Sequence, residues 1–304
     1  MPTGLVVNDD GDTGDADPGD GACDADGDPA TTAELYSLYV HPGAWGSGLG
    51  RVLLGYSGGV DSALLAVVAT RALGAGRFLA VIGRSDSYPA VQHQGALDIA
   101  RRFGIPLLEV ATHELDNPAY RANNPDRCYF CKRELWSRLG ELARDRGFTV
   151  IVDGTNVDDL AEHRPGLRAA GERAVRSPLA ELGWTKPRIR AAAQLLGIPA
   201  WDAPAAPCLS SRIQYGLTVT PERLRQVEAA EALLRRLGVT GDLRVRHRGD
   251  RASVEVLPEV RASLIARWEE AEQGLHALGF RWVELDPQGY RRGALLHELP
   301  VFGA

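Results

Sequence analysis

From Arg51 onward, short apolar runs alternate with stretches of helical spacing. RVLLGYS (51–57) is an apolar run that closes on a Gly-rich loop, and Asp61–Leu73 carries its apolar side chains at helical intervals. FLAVIGR (78–84) and PLLEVAT (106–112) read as the next strands, with a helix over Pro89–Phe103 between them. A helix over Cys128–Arg146 precedes a fourth strand, TVIVDGT (149–155), and Thr185–Leu196 reads as a further helix. Strands alternating with helices of about ten or more residues imply βαβ units. The expectation for residues 51–197 is therefore an α/β domain, a parallel sheet with helices on both faces.

The pattern breaks at IPAWDAPAAPCLSSRIQY (198–215), where Pro199, Pro204 and Pro207 exclude regular structure. Residues 198–217 are expected to be a linker carrying Cys208. Beyond it come a helix (Pro221–Leu237), strands at Leu243–Arg248 and Ala252–Leu257, a helix (Glu259–Leu278) and a strand (Phe280–Leu285). That order predicts a smaller C-terminal α+β domain over 218–304. No internal repeat is evident.

Residues 1–33 are rich in Asp and Gly and nearly free of large apolar side chains, so they read as a disordered acidic tail. A calcium loop would need a fixed Asp spacing and a closing Glu, which this stretch lacks. Residues 34–50 (ELYSLYVHPGAWGSGLG) read as a strand, a turn and a Gly-rich loop. They resemble the strand and acetyl-CoA pyrophosphate loop of GNAT acetyltransferases, with Gly46, Gly48 and Gly50 matching the amide cradle. A GNAT fold needs more elements than this, so the segment reads as a GNAT-like fragment, a fusion scar or misjoined gene start.

The chain has 304 residues, 44% apolar and 24% charged, values that exclude collagen-like, fully disordered and disulfide-scaffold classes. No apolar run approaches the roughly 18–20 residues of a membrane span, and the N-terminus shows no secretory signal. The expectation is a soluble, cytoplasmic protein. Residues 1–50 hold ten acidic residues and no Lys or Arg, so against a whole-chain charge of −6 the remainder carries +4. An arginine-rich body of mild positive charge suits a small anionic ligand better than a nucleic acid, which wants a strongly basic stripe.

Ser57-Gly58-Gly59-Val60-Asp61-Ser62 follows a strand and opens a helix. Paired glycines let backbone N–H groups approach a phosphate, and the helix start adds unpaired N–H groups and the positive end of its dipole. The Ser57 and Ser62 hydroxyls can bind phosphate oxygens, and Asp61 can hold Mg²⁺. A bland Gly-rich turn is the alternative. The absence of GK[ST] separates this loop from the Walker type. SGGVDS resembles the signature of the PP-loop, or N-type, ATP pyrophosphatases, of adenine nucleotide alpha hydrolase-like (HUP) fold. That resemblance implies cleavage of ATP between the α- and β-phosphates, with AMP passed to an oxygen of the substrate.

Cys128 and Cys131 form a CxxC pair at a helix start, and Cys208 lies in the linker. Three thiolates suit three irons of a 4Fe–4S cluster, a zinc ion or a redox pair, and buried thiols are the plain alternative. Arg244 and Arg246 stand two apart on a strand and so share a face, where paired guanidiniums suit phosphate and carboxylates; a solvated strand face is the alternative. The histidines are scattered, and none is assigned a ligand role.

Beside SGGVDS, the chain carries CYFCK (128–132), DGTNVDD (153–159), HRPGLRAAGERAVRSPL (163–179), PCLSSRIQYG (207–216) and LRVRH (243–247). Together these resemble the LarE family, sulfur transferases of nickel-pincer cofactor biosynthesis, from about Arg51 to the C-terminus. The resemblance implies that ATP adenylates a carboxylate of a pyridinium-3,5-biscarboxylic acid mononucleotide and that sulfur replaces AMP, giving a thiocarboxylate. It matches Cys208 to the cysteine that gives up its sulfur in single-cysteine members. Glu231, Arg244 and Arg246 match residues lining the sulfur-transfer site, and Lys132 a basic residue near the phosphates. Single-cysteine members carry no CxxC, so this chain resembles the three-cysteine branch, in which Cys128, Cys131 and Cys208 hold a 4Fe–4S cluster. A sacrificial Cys208 is the alternative. A homo-oligomer is expected by the same resemblance. Rival readings are a PP-loop tRNA thiolase and a nucleotide-binding protein without turnover.

Overall fold

The computed structural model describes residues 50–160, 165–204, 207–291 and 293–295. The acidic tail and all but the last residue of the GNAT-like stretch lie outside the described residues. Among those described, no helix is long and apolar enough to cross a membrane.

The N-terminal half begins with β1 (Val52–Gly55), α1 (Val60–Leu73), β2 (Phe78–Arg84), α2 (Ala90–Phe103) and β3 (Leu107–Ala111). A 3₁₀ turn (Glu114–Asp116), α3 (Pro118–Arg121) and α4 (Arg127–Arg146) lead to β4 (Val150–Val152). Then come α5 (Val157–Leu160), α6 (Pro165–Gly171), α7 (Pro178–Glu181) and α8 (Lys186–Leu195). The four strands are parallel, in the order β3-β2-β1-β4, so the expected α/β architecture is present. Val52 and Leu54 pack into one cluster with α1, α2 and α8, while Leu53 packs into another with Trp136 and Leu139 of α4. Burial on both faces is why these strands read as unbroken apolar runs. Helix α1 is apolar nearly all round and buried from Ser62 to Ala69, the mark of a helix enclosed by its neighbours.

Strand β4 is shorter than the 149–155 predicted. Asp153 turns the chain out of the sheet, its carboxylate accepting from Thr155 N (3.0 Å), Thr155 Oγ1 (2.9 Å) and Ser177 Oγ (2.8 Å). A side chain that offers the backbone a local partner competes with the ladder, and here that local turn wins.

The linker holds a 3₁₀ turn at Leu209–Arg212. It is followed by α9 (Pro221–Arg236), β5 (Leu243–Arg248), β6 (Arg251–Val256), α10 (Pro258–Ile265), α11 (Trp268–Ala277) and β7 (Trp282–Leu285). The second sheet runs β5-β6-β7, antiparallel then parallel. The single helix expected over Glu259–Leu278 is two helices. Arg267 leaves helical geometry (φ −118°, ψ 19°), and its guanidinium donates to Leu237 O at the end of α9 (3.0 Å). No Gly or Pro stands at the break; the same guanidinium also pairs locally with Glu270 (2.7 Å) at the start of α11.

A separate apolar cluster joins Tyr120 of α3, Leu209 and Ile213 of the hinge, and Leu224 and Val227 of α9. Ile213 bridges to His247, and Gln214 N donates to His247 O (3.0 Å). The hinge is therefore packed against α3 and α9 and bridges to β5.

Candidate active site

Strand order reverses beside β1: the chain goes outward to β2 and β3, then returns to β4 on the other side. In open α/β sheets ligands bind beyond the carboxyl ends of the strands at such a switch point. Two of the sequence motifs emerge there, SGGVDS after β1 and DGTNVDD after β4. They touch: a Cβ added at Gly154 would lie 2.8 Å from Ser62 N. Gly58 has φ +70° and packs so closely on α2 that a Cβ would meet the Ala96 side chain at 2.5 Å. Gly59 precedes α1 with no side-chain cap, which leaves the helix's first N–H groups for a ligand. Ser57 and Ser62 stand with Oγ atoms 3.2 Å apart.

Asp61 takes Lys186 Nζ on one oxygen (2.5 Å) and Asn156 Nδ2 on the other (3.1 Å). Asn156 is fully buried, and the Lys186 backbone N–H donates to Asp158 (2.7 Å). A lysine ammonium thus already sits where a metal would meet this carboxylate. Mg²⁺ characteristically takes one or two carboxylates plus substrate phosphate oxygens, so the donor set fits. Sequence reading missed Lys186 and Asn156. Asn156 lies in a quoted motif and could have been singled out, whereas Lys186 comes from a different helix with no motif around it.

Lys132 lies on α4 with Nζ 5.3 Å over the Trp136 ring and its stem against Gly166. Its charge pulls down both Cys128 and Cys131.

Arg127 lies within electrostatic reach of Cys128 and Cys208, and Cys131 within reach of both of those thiols. Cys128 is exposed as a residue and Cys131 half-buried, yet desolvation is the leading influence on both thiols and pushes both pKa values up. For Cys128 the Cys208 charge adds to this and Arg127 opposes it. For Cys131 the next causes are Glu114 and Cys208. Arg127 is itself buried; burial works most strongly on it and against its charge, but Cys208, Cys128, Tyr120 and Tyr215 together outweigh that and its pKa rises. Its Nη1 donates to Ser210 O (2.9 Å) and to Asn123 Oδ1. Among the described residues no three His, Cys, Asp or Glu are gathered tightly enough for one metal ion. That speaks against a Cys₃ zinc site in this shape. The cysteines of a 4Fe–4S cluster bind different irons and so stand further apart than the ligands of one ion; the three thiols here are within electrostatic reach of one another.

The hinge is tied to the phosphate loop through the β2–α2 connection. Leu209 N, next to Cys208, donates to Ser87 O (2.8 Å). The neighbouring Tyr88 donates its hydroxyl to Ser57 O (2.8 Å), as does Gln92 Nε2 (2.9 Å). Arg212 then fastens the hinge to the second half, donating to Cys208 O (3.1 Å) and to both oxygens of Glu231 (2.9 and 3.1 Å). Glu231 also accepts from Val245 N (3.1 Å). The expected sulfur-site carboxylate is therefore bound to Arg212, a residue sequence reading passed over.

Arg244 and Arg246 share a face, and both are only 6% exposed, which excludes a solvated strand surface. Arg246 donates to Ser211 O (2.9 Å) and pairs with Glu255 (2.8 Å), while its Nε has no partner among the described residues. Arg244 lies 5.1 Å over the Tyr290 ring, and burial leads the causes that lower its pKa. Removing one partner of a buried pair leaves an uncompensated charge. Glu255→Ala is accordingly expected to lower unfolding free energy by about 3–5 kcal/mol in urea titrations; a loss below about 1 kcal/mol would show that the pair is solvated.

The NAD synthase family model matches residues 43–140, a span that begins inside the GNAT-like stretch and includes the phosphate loop. An uncharacterized protein of Synechocystis sp. is 45% identical over 249 residues, covering 81% of this chain and 92% of that protein. The pyridinium-3,5-bisthiocarboxylic acid mononucleotide synthase of Lactiplantibacillus plantarum is 36% identical over 248 residues, 81% of this chain and 89% of that protein. A glutamine-dependent NAD(+) synthetase of Rhodobacter capsulatus is 46% identical over 72 residues, which is 24% of this chain and 12% of that protein. Only the first two of these relatives reach across both halves.

Proposed function

The chain belongs to the LarE family, that of the L. plantarum pyridinium-3,5-bisthiocarboxylic acid mononucleotide synthase, and from that premise we propose that it makes a thiocarboxylate from a carboxylate of a pyridinium-3,5-biscarboxylic acid mononucleotide. It is an enzyme of the ATP pyrophosphatase type, in nickel-pincer cofactor biosynthesis.

In the proposed chemistry the Ser57–Ser62 amides and hydroxyls grip the triphosphate, with Asp61 holding Mg²⁺. A substrate carboxylate oxygen attacks the α-phosphorus, and the bond to the β-phosphate oxygen breaks to release pyrophosphate. A sulfur lone pair then attacks the acyl carbon of the adenylate and AMP leaves with the electron pair of the C–O bond; where the sulfur is that of Cys208, its Cβ–S bond then breaks with loss of the Cα proton to free the thiocarboxylate. Arg244 and Arg246 bind substrate anions. Glu231 acts through Arg212, which orients the Cys208 hinge. Cys128, Cys131 and Cys208 are the residues that would hold a 4Fe–4S cluster, which when bound presents sulfide at the iron they leave open. The observation that supports this reading is the bonded path from the Ser57 carbonyl through Tyr88 and Ser87 to Leu209, the residue after Cys208.

With ATP, Mg²⁺ and the dicarboxylate mononucleotide under anaerobic conditions, AMP and pyrophosphate are expected to form only when the mononucleotide is present. Bulk tRNA at moderate salt should neither bind nor stimulate turnover. AMP formation that needs tRNA instead would replace this reading with the thiolase one.

A further inference from the structure

Four buried groups from separate segments form one chain of hydrogen bonds ending at the sulfur hinge. Ser87 Oγ donates to Glu114 Oε1 (2.8 Å), Ser87 Oγ and Tyr120 OH are 2.9 Å apart, and Tyr120 OH and Ser210 Oγ are 2.6 Å apart. All four residues are at most 3% exposed. A hydroxyl has one proton to give. Ser87 gives its proton to the carboxylate, so it must accept from Tyr120, and Tyr120 must accept from Ser210. One buried carboxylate thereby sets the direction of every hydroxyl up to a residue two positions from Cys208. Ser87 is also the residue whose carbonyl holds Leu209 N, and it precedes the tyrosine that bonds the phosphate loop.

We propose that Glu114, Ser87 and Tyr120 are positioning residues for sulfur delivery: they hold the Cys208 hinge at the place where the adenylated carboxyl forms, so that sulfur captures it before water does. This rests on the function proposed above. Water attacking the same acyl carbon releases AMP and regenerates the carboxylate, with no thiocarboxylate formed. The thiocarboxylate made per AMP released therefore reports the hinge position, and a role in folding alone would not move that ratio. A displacement of about 1 Å is enough to cost a positioned reaction about 100-fold.

The full-length protein carrying Tyr120→Phe, which removes both of its bonds and keeps the ring in its apolar cluster, tests this. AMP formation and the KM for ATP should stay near wild type, while thiocarboxylate per AMP falls about tenfold, a partial loss on that scale. Ser210→Ala, which deletes only the last bond, should lower the ratio in the same direction and serves if Tyr120→Phe does not fold. An unchanged ratio in a folded variant, whether total turnover holds or drops, overturns the proposal. Wild-type enzyme that makes no AMP with the mononucleotide would instead overturn the function on which the proposal rests.

Discussion

Cys208→Ala is expected to lower thiocarboxylate formation by at least about 10³-fold, the scale of removing a group that reacts or holds the reacting atom. Pyrophosphate release by adenylation should persist, with AMP then appearing only as water hydrolyses the adenylate. The separation follows from the geometry. Cys208 is joined to the phosphate loop only through Leu209, Ser87 and Tyr88 in the path traced above, and it contributes no group to SGGVDS. The substitution is small, and Cys208 is half-buried rather than part of the fully buried core, so the fold should survive it. Intact mass of the wild-type protein after anaerobic turnover distinguishes the two sulfur sources. Loss of one H₂S equivalent at Cys208 means the cysteine gave up its own sulfur, and an unchanged mass with repeated turnover means the sulfur came through the three-thiol site. Equal collapse of adenylation and sulfur transfer would show that Cys208 acts on the nucleotide step instead.

Asp61→Asn should suppress both products together, by about 10²–10³-fold in pyrophosphate release, the usual cost of losing one group that neutralises developing charge. The amide keeps the shape and can still meet Asn156, but it cannot pair with Lys186 or hold a divalent cation with comparable strength. Thermal stability should change little, since Asp61 and Lys186 are partly exposed and such pairs are worth about 0–1 kcal/mol. Raising Mg²⁺ should recover part of the loss. A variant with full pyrophosphate release would remove Asp61 from metal binding and leave Lys186 as the main charge at the triphosphate.

Much of the nucleotide half is legible without coordinates because its signals are local. An apolar run buried on two faces, a Gly-Gly turn and a helix apolar all round each announce themselves within a dozen residues, as Val52–Leu73 does. The break at Arg267 and the early end of β4 at Asp153 are not visible in this way. Each depends on a partner far along the chain or on a side chain that outcompetes a ladder bond. The site divides along the same line. Ser57–Ser62 stands in one contiguous stretch and could be read directly. Lys186, Arg127 and Tyr120 carry no motif, Arg212 stands unmarked within PCLSSRIQYG, and long-chain arginines and a tyrosine are as common on ordinary surfaces and in ordinary cores.

By itself, then, the amino-acid order determined the alternation of strand and helix, the phosphate-gripping loop and the inventory of three thiols, because backbone preference, apolar periodicity and residue chemistry act over short range. The folded chain decided which charges meet. It set Lys186 on Asp61, Arg127 among the cysteines, Arg212 on Glu231, and a directed line of hydroxyls between the two halves. Pairings of that kind depend on which segments the crossovers and the hinge bring within a few ångströms, and burial then makes each of them strong.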